Sequence, residues 1–191
     1  MLNEIMPTLI FQIGKFFLQC LWFFLPIGFA NMAPVFARKI NFLNVPVDFG
    51  YSIAHKRIFG DHKTWRGILA GVLIGECVFL LQRFLEQYPV FTALHFTSYQ
   101  TLPWYFGALI GFGAVFGDLI KSFFKRRKNI AAGTSWIPFD QIDYILGGLI
   151  FSLIVVRIPL SAWLTILILG FLLHIATNHI GFWLGIREQR W

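Results

Sequence analysis

Apolar residues along this chain fall into long blocks, and almost all the charge collects in the stretches between them. The blocks lie at 16–37, 67–85, 102–124, 142–156 and 160–185, bounded by charge, Gly or Pro. About 20 apolar residues in helical form cross a hydrocarbon core of about 30 Å. The pattern predicts an all-α polytopic membrane protein with about five transmembrane helices, forming a single domain over residues 1–191. The fourth block is short, so it either starts nearer Ile137 or sits in a locally sheltered place. Polar connections at 38–66 and 121–143 then fall on one side of the membrane, with 86–101 and 157–159 on the other.

Composition sharpens this picture. The chain is 57% hydrophobic and 13% charged, with a mean hydropathy of +0.68. Soluble domains average about 45–50% apolar and about 25% charged, and disordered chains deviate in the opposite direction, so both classes are excluded. The net charge is +7, and its distribution identifies the partner. Thirteen Lys and Arg lie in the two longer connections and the tail, including Arg187 and Arg190, against three (Lys15, Arg83, Arg157) on the other side. Cytoplasmic loops carry such an excess, so the N-terminus is expected outside, the C-terminus inside, and both basic loops in the cytoplasm of a cell-membrane protein. The basic charge thus calls for membrane lipid and not for nucleic acid. A retained first helix is expected over a signal peptide, because the region before it carries Glu4 and is not basic. Cys20 and Cys77 lie inside apolar blocks and read as small hydrophobes.

Polar residues inside the blocks carry the chemistry. Asn31, Asp118, Asn178 and His179 fall near the cytoplasmic ends, with His174 nearer the middle of its block and Asp140 and Asp143 at a block's entrance. Glu76 sits mid-block, where an acid must have a cavity or a partner. In Gly117-Asp118-Leu119-Ile120-Lys121-Ser122 followed by Lys125 and Arg126, the residues Asp118, Lys121, Ser122 and Lys125 share one helical face. A carboxylate below cations and a hydroxyl can share a metal with a polyphosphate. A basic stop at the membrane surface would account for Arg127 and Lys128 but needs no acid at Asp118. In Pro138-Phe139-Asp140-Gln141-Ile142-Asp143 two carboxylates stand one helical turn apart, as Mg²⁺ ligands would. Helix capping explains only one of them. The run Gly60-Asp61-His62-Lys63-Thr64-Trp65-Arg66-Gly67 places small, polar and basic residues before a helix start, where backbone N–H groups favour phosphate. Membrane anchoring by Lys63 and Arg66 explains it equally well. His55, His62 and His95 read as loop residues, and His174 with Asn178 as a hydrogen-bonded pair between helices.

Together with Ala30-Asn31-Met32-Ala33-Pro34-Val35 and Pro46-Val47-Asp48-Phe49-Gly50, these segments resemble the CDP-archaeol synthase branch of the CTP-dependent lipid cytidylyltransferases, relatives of CDP-diacylglycerol synthase. The resemblance implies transfer of a cytidylyl group from CTP to a lipid phosphate, unsaturated archaetidic acid (2,3-bis-O-geranylgeranylglycerol 1-phosphate), with release of pyrophosphate. It implies Mg²⁺ held by Asp118, Asp140 and Asp143, and Lys125 acting beside them in catalysis. CTP or the lipid phosphate would be bound by Asn31, Lys63, Thr64, Arg66, Lys121, Ser122 and Arg126, while Asp48 would order the first loop or contact the nucleotide. A homodimer is the assembly it suggests. The same chemistry on phosphatidate stays open, since Gln141 stands where the wider synthase group has Arg.

The physical mechanism is coherent in its own right. A phosphate nucleophile is already anionic at neutral pH, so positioning and charge neutralisation are required and a general base is not. A small ion transporter or channel subunit is the competing class, but the odd span count and the lack of inverted repeats disfavour it. A non-catalytic adaptor binding anionic lipid through its basic loops is the third reading.

Overall fold

The computed structural model describes residues 2–131 and 133–185, so Arg187 and Arg190 of the basic count lie outside the described residues. The order is α1 (Leu2–Ala37), a two-stranded antiparallel hairpin β1 (Ser52–Ile53) and β2 (Lys56–Arg57), then α2 (Trp65–Leu85). A short α3 (Pro89–Thr92) and a 3-10 turn (Tyr99–Thr101) follow, then α4 (Phe106–Arg127), α5 (Phe139–Ser152) and α6 (Leu160–Trp183). Among the described residues, four helices, α1, α2, α4 and α6, are long and apolar enough to cross a membrane.

The fourth expected span differs from the other four. At 14 residues, α5 rises about 21 Å, short of the hydrocarbon core. Tyr144, Ile145, Gly147, Gly148, Leu149 and Ser152 are nonetheless buried, so it is enclosed by the other helices. A helix sheltered in this way has its end groups satisfied by protein and need not reach both headgroup layers. It starts at Phe139, three residues before the apolar block, because Asp140 closes the preceding turn. Asp140 N donates to Trp136 O at 3.0 Å while Trp136 N donates back to its carboxylate.

Each helix buries one stripe. On α1, the residues Cys20, Phe23, Phe24, Ile27, Ala30, Ala33 and Ala37 recur at three- and four-residue steps and face inward. The outward faces of the spans are rich in exposed Leu, Ile and Phe, as a lipid-facing surface requires. Glu76 finds a partner for one of its two oxygens, while Oε1 is buried without one. Its Oε2 accepts from Ala108 N at 2.7 Å, in the first turn of α4, where Tyr105 offers no side-chain cap. The mid-block acid therefore has a partner, and that partner is a helix end.

Glycines bring α2, α4 and α5 into backbone contact. A Cβ on Gly75 would lie 2.8 Å from Gly107 O, and one on Gly111 would lie 2.9 Å from Gly71 O. On another face of α4, a Cβ on Gly117 would lie 2.2 Å from Asp143 O, and one on Gly147 would lie 2.1 Å from Gly113 O. The pairs 71/75, 107/111 and 113/117 are each four residues apart, the spacing that lets membrane helices approach without a hydrophobic driving force.

Gly117→Ala should lower the detergent melting temperature by several degrees, since overpacking costs about 1–3 kcal/mol. Gly14→Ala, with nothing within 4 Å of its Cβ, should leave it unchanged or raise it. Equal melting of the two variants would remove the role given to the α4–α5 contact.

Candidate active site

A cavity of about 570 Å³ opens where both basic connections meet the helix ends, within the usual range for ligand sites. Five helices shape it. Asn31 comes from α1 and Arg38 from the turn just after it, Thr64 and Arg66 from the start of α2, Asp118, Lys121, Ser122 and Arg126 from α4, Asp140 and Gln141 from α5, and His174 and Asn178 from α6.

At its floor is one charge network. Lys121 Nζ lies 2.9 Å from Asp118 Oδ1, 3.0 Å from Asp140 Oδ1 and 2.7 Å from Asp143 Oδ2. The second Asp118 oxygen takes the Lys63 ammonium from the other loop. Lys125 Nζ lies 3.2 Å from both Asp140 oxygens and donates to Thr134 O. Three acids and three lysines thus interlock across segments more than 50 residues apart. These charges are largely withdrawn from water, where each attraction is stronger than at a surface and an unpaired charge would be costly. The shared face predicted for Asp118, Lys121, Ser122 and Lys125 is present, and all four line the cavity. Asp143 does not line it. Its carboxylate sits behind Lys121, where Oδ2 receives no directed hydrogen bond and has only the ionic contact with that ammonium.

Hard oxygen donors from three residues converging on one cationic centre suit Mg²⁺ in kind. Among the described residues no three acidic, His or Cys side chains are already drawn into a metal cage. The reason is visible: an ammonium stands at the centre, and its oxygen neighbours lie at 2.7–3.0 Å, against about 2.1 Å for Mg²⁺–oxygen bonds. The donor set fits the ion once that ammonium moves aside.

The remaining expected residues divide into two groups. Asn31, Lys63, Arg66 and Arg126 line the cavity, and Arg126 Nε is buried without an acceptor. Arg66 also donates to Ile40 O, tying the first loop to the start of α2. Thr64 lines the cavity but serves as the N-cap of α2, accepting from Gly67 N at 3.3 Å. Asp48 is the loop's organiser and lies away from the cavity lining. Its carboxylate accepts from Arg57, from Gly50 N at 3.2 Å, and from Phe59 N and Gly60 N at 3.0 Å each. These groups saturate both oxygens, so of the two roles expected for Asp48 the structural one is present.

Several contacts escape the linear pattern. Arg127, expected as a basic stop, clamps the β1–β2 hairpin to the end of α4 by donating to the carbonyls of Ile53 and Arg57 at 2.6 and 3.0 Å. His62 is an exposed turn residue, as expected, and also reaches the cavity wall. His174 and Asn178 also line it, and the His174 ring packs against Tyr144 of α5. Arg38, read only as part of the basic loop, lies in the turn that follows α1 and lines the cavity with Asn31.

Fold and site define an α-helical intramembrane protein that gathers cationic and acidic groups at one end of its bundle. The CarS-like family model, CDP-archaeol synthase, matches residues 13–191. CDP-archaeol synthase of Pyrococcus furiosus is 34% identical over 175 residues, spanning 91% of this chain and 98% of that one. The Methanocaldococcus jannaschii CDP-archaeol synthase is 34% identical over 173 residues, spanning 90% of this chain and 95% of its own. A solved structure of an intramembrane enzyme for archaeal membrane lipids biosynthesis aligns with a TM-score of 0.66 at 30% identity, covering 82% of this chain and 90% of that one. The chain belongs to the CarS-like CDP-archaeol synthase family.

Burial pushes the Asp48 carboxyl up, but Arg57 and the N–H groups of Phe59, Gly60 and Gly50 outweigh it and hold the group well below the ordinary carboxylate range. A carboxylate shifted this way adds stability above its unfolded pKa of about 3.9 and loses it as pH falls through the lower folded value. Asp48→Asn should therefore melt below the wild type at neutral pH, with the gap closing below about pH 4. A gap independent of pH, in melting curves across that range, would overturn the ionic role.

Proposed function

We propose that the chain is a CTP-dependent CDP-archaeol synthase, transferring the cytidylyl group of CTP to unsaturated archaetidic acid with release of pyrophosphate. The observation that carries this reading is the cavity that joins cations from both basic loops to a carboxylate–lysine floor. Family membership supports the choice of nucleotide and lipid.

The reaction brings like-charged phosphates together. A lipid phosphate oxygen attacks the α-phosphorus of CTP, the new oxygen–phosphorus bond forms, and the bond to the β-phosphate oxygen breaks with its electron pair leaving on pyrophosphate. In this reading Arg38, Lys63, Arg66 and Arg126 hold the phosphates, and Ser122 and Asn31 orient them by hydrogen bonding. Lys125 keeps Asp140 in place through its two contacts of 3.2 Å. Mg²⁺ bound by Asp118 and Asp140, backed by Asp143, would neutralise the charge that builds on the triphosphate. The cationic end of the bundle faces the cytoplasm of the cell membrane, in keeping with the positive-inside bias and with a water-soluble nucleotide.

Purified protein given CTP, Mg²⁺ and unsaturated archaetidic acid should form a CDP-lipid and pyrophosphate, read by mass spectrometry. Asp118→Asn and Asp140→Asn should lower the rate by about 100-fold or more. Product from phosphatidic acid alone would reassign the lipid, and no product from either lipid would overturn the reading.

A further inference from the structure

The Lys121 ammonium donates a hydrogen bond to Asp118 and makes ionic contacts with Asp140 and Asp143. It has three N–H donors, and three carboxylate oxygens from Asp118, Asp140 and Asp143 lie at 2.9, 3.0 and 2.7 Å from it. Asp143 is nine-tenths buried, and its Oδ2 has no hydrogen-bond donor of its own, only this cation. Without a central positive charge, three carboxylates confined to so small a space would repel one another strongly.

We propose that Lys121 is an internal counter-ion which occupies the carboxylate centre in the metal-free protein and exchanges with a divalent cation on substrate loading. The inference rests on the reading that these carboxylates take a metal. Ammonium and metal exclude each other there, because the metal needs the same oxygens at about 2.1 Å. On exchange the ammonium is released into the cavity that Lys121 lines, with three donors free for a phosphate. A nucleotide triphosphate is the anion that suits it. Metal without nucleotide must therefore displace an ammonium that has nowhere favourable to go, whereas metal with nucleotide gives it a new partner. The two ligands reinforce each other through one side chain, and that coupling is reciprocal.

The test uses the full chain in detergent and Mn²⁺ alone, read by the paramagnetic resonance signal of free Mn²⁺. Wild type and Lys121→Arg should bind Mn²⁺ weakly. Lys121→Met and Lys121→Gln should bind it about 10-fold or more tightly than wild type, and Mn²⁺ should raise their melting temperature more than it raises that of the wild type. Adding Asp140→Asn to Lys121→Met should abolish the gain, which locates the ion. Folded Lys121→Met or Lys121→Gln protein that binds Mn²⁺ no better than wild type would overturn the exchange. So would variants that fail to fold at any Mn²⁺ concentration, since the metal would then be unable to replace the ammonium. Product formation by the wild type tests the cytidylyltransferase reading separately, and its failure would leave the Mn²⁺ result standing alone.

Discussion

Backbone contact along α4 is the constraint from which the site follows. Two glycine pairs on this helix admit α2 on one face and α5 on another, with main-chain atoms touching where a methyl group would not fit. Gly117 abuts the carbonyl of Asp143, and the next residue is Asp118. Side chains of ordinary length can then join two helices and the first loop at one point, so Lys121 reaches carboxylates on both α4 and α5. A wider α4–α5 spacing would pull Asp143 and Asp140 out of reach of that ammonium.

This packing also explains how a charged cluster is tolerated at the end of a membrane bundle. Each acid has a lysine against it, and Lys63, Lys121 and Lys125 each pair with an acid on a different element. The loops are held by separate devices. Asp48 gathers the first loop around its buried carboxylate, and Arg127 pins the hairpin to α4, leaving Lys63 and Arg66 aimed at the cavity. Rigid positioning of cations is what the proposed chemistry needs, because phosphoryl-type transfer gains little from covalent help and much from fixed charge.

Much of the site was legible along the chain because a helix repeats every 3.6 residues. Asp118, Lys121, Ser122 and Lys125 could be assigned to one face without coordinates, and they share a cavity. An acid inside an apolar block is costly enough to be noticed, which flagged Glu76 and Asp118, while the one-turn spacing of Asp140 and Asp143 flagged that pair. The roles were harder to read. Capping by Glu76 depends on the start of α4, 32 residues away, and the saturation of Asp48 depends on a loop that turns back on itself. Arg127 looked like any basic stop until its carbonyl partners, 70 and 74 residues away, were in place.

Local chemistry decided the membrane class, the basic end of the bundle and the identity of the acids and cations, since hydropathy, charge bias and helical spacing act over a few turns. Tertiary structure decided that α5 is a short enclosed helix, that Asp143 stands behind Lys121 and not in the cavity wall, and that Arg38, His62, His174 and Asn178 line the same wall. Those outcomes depend on which helices touch and how closely. Helix contact in a membrane is set by shape and by backbone approach rather than by hydrophobicity, and shape complementarity between distant segments is not written in any one of them.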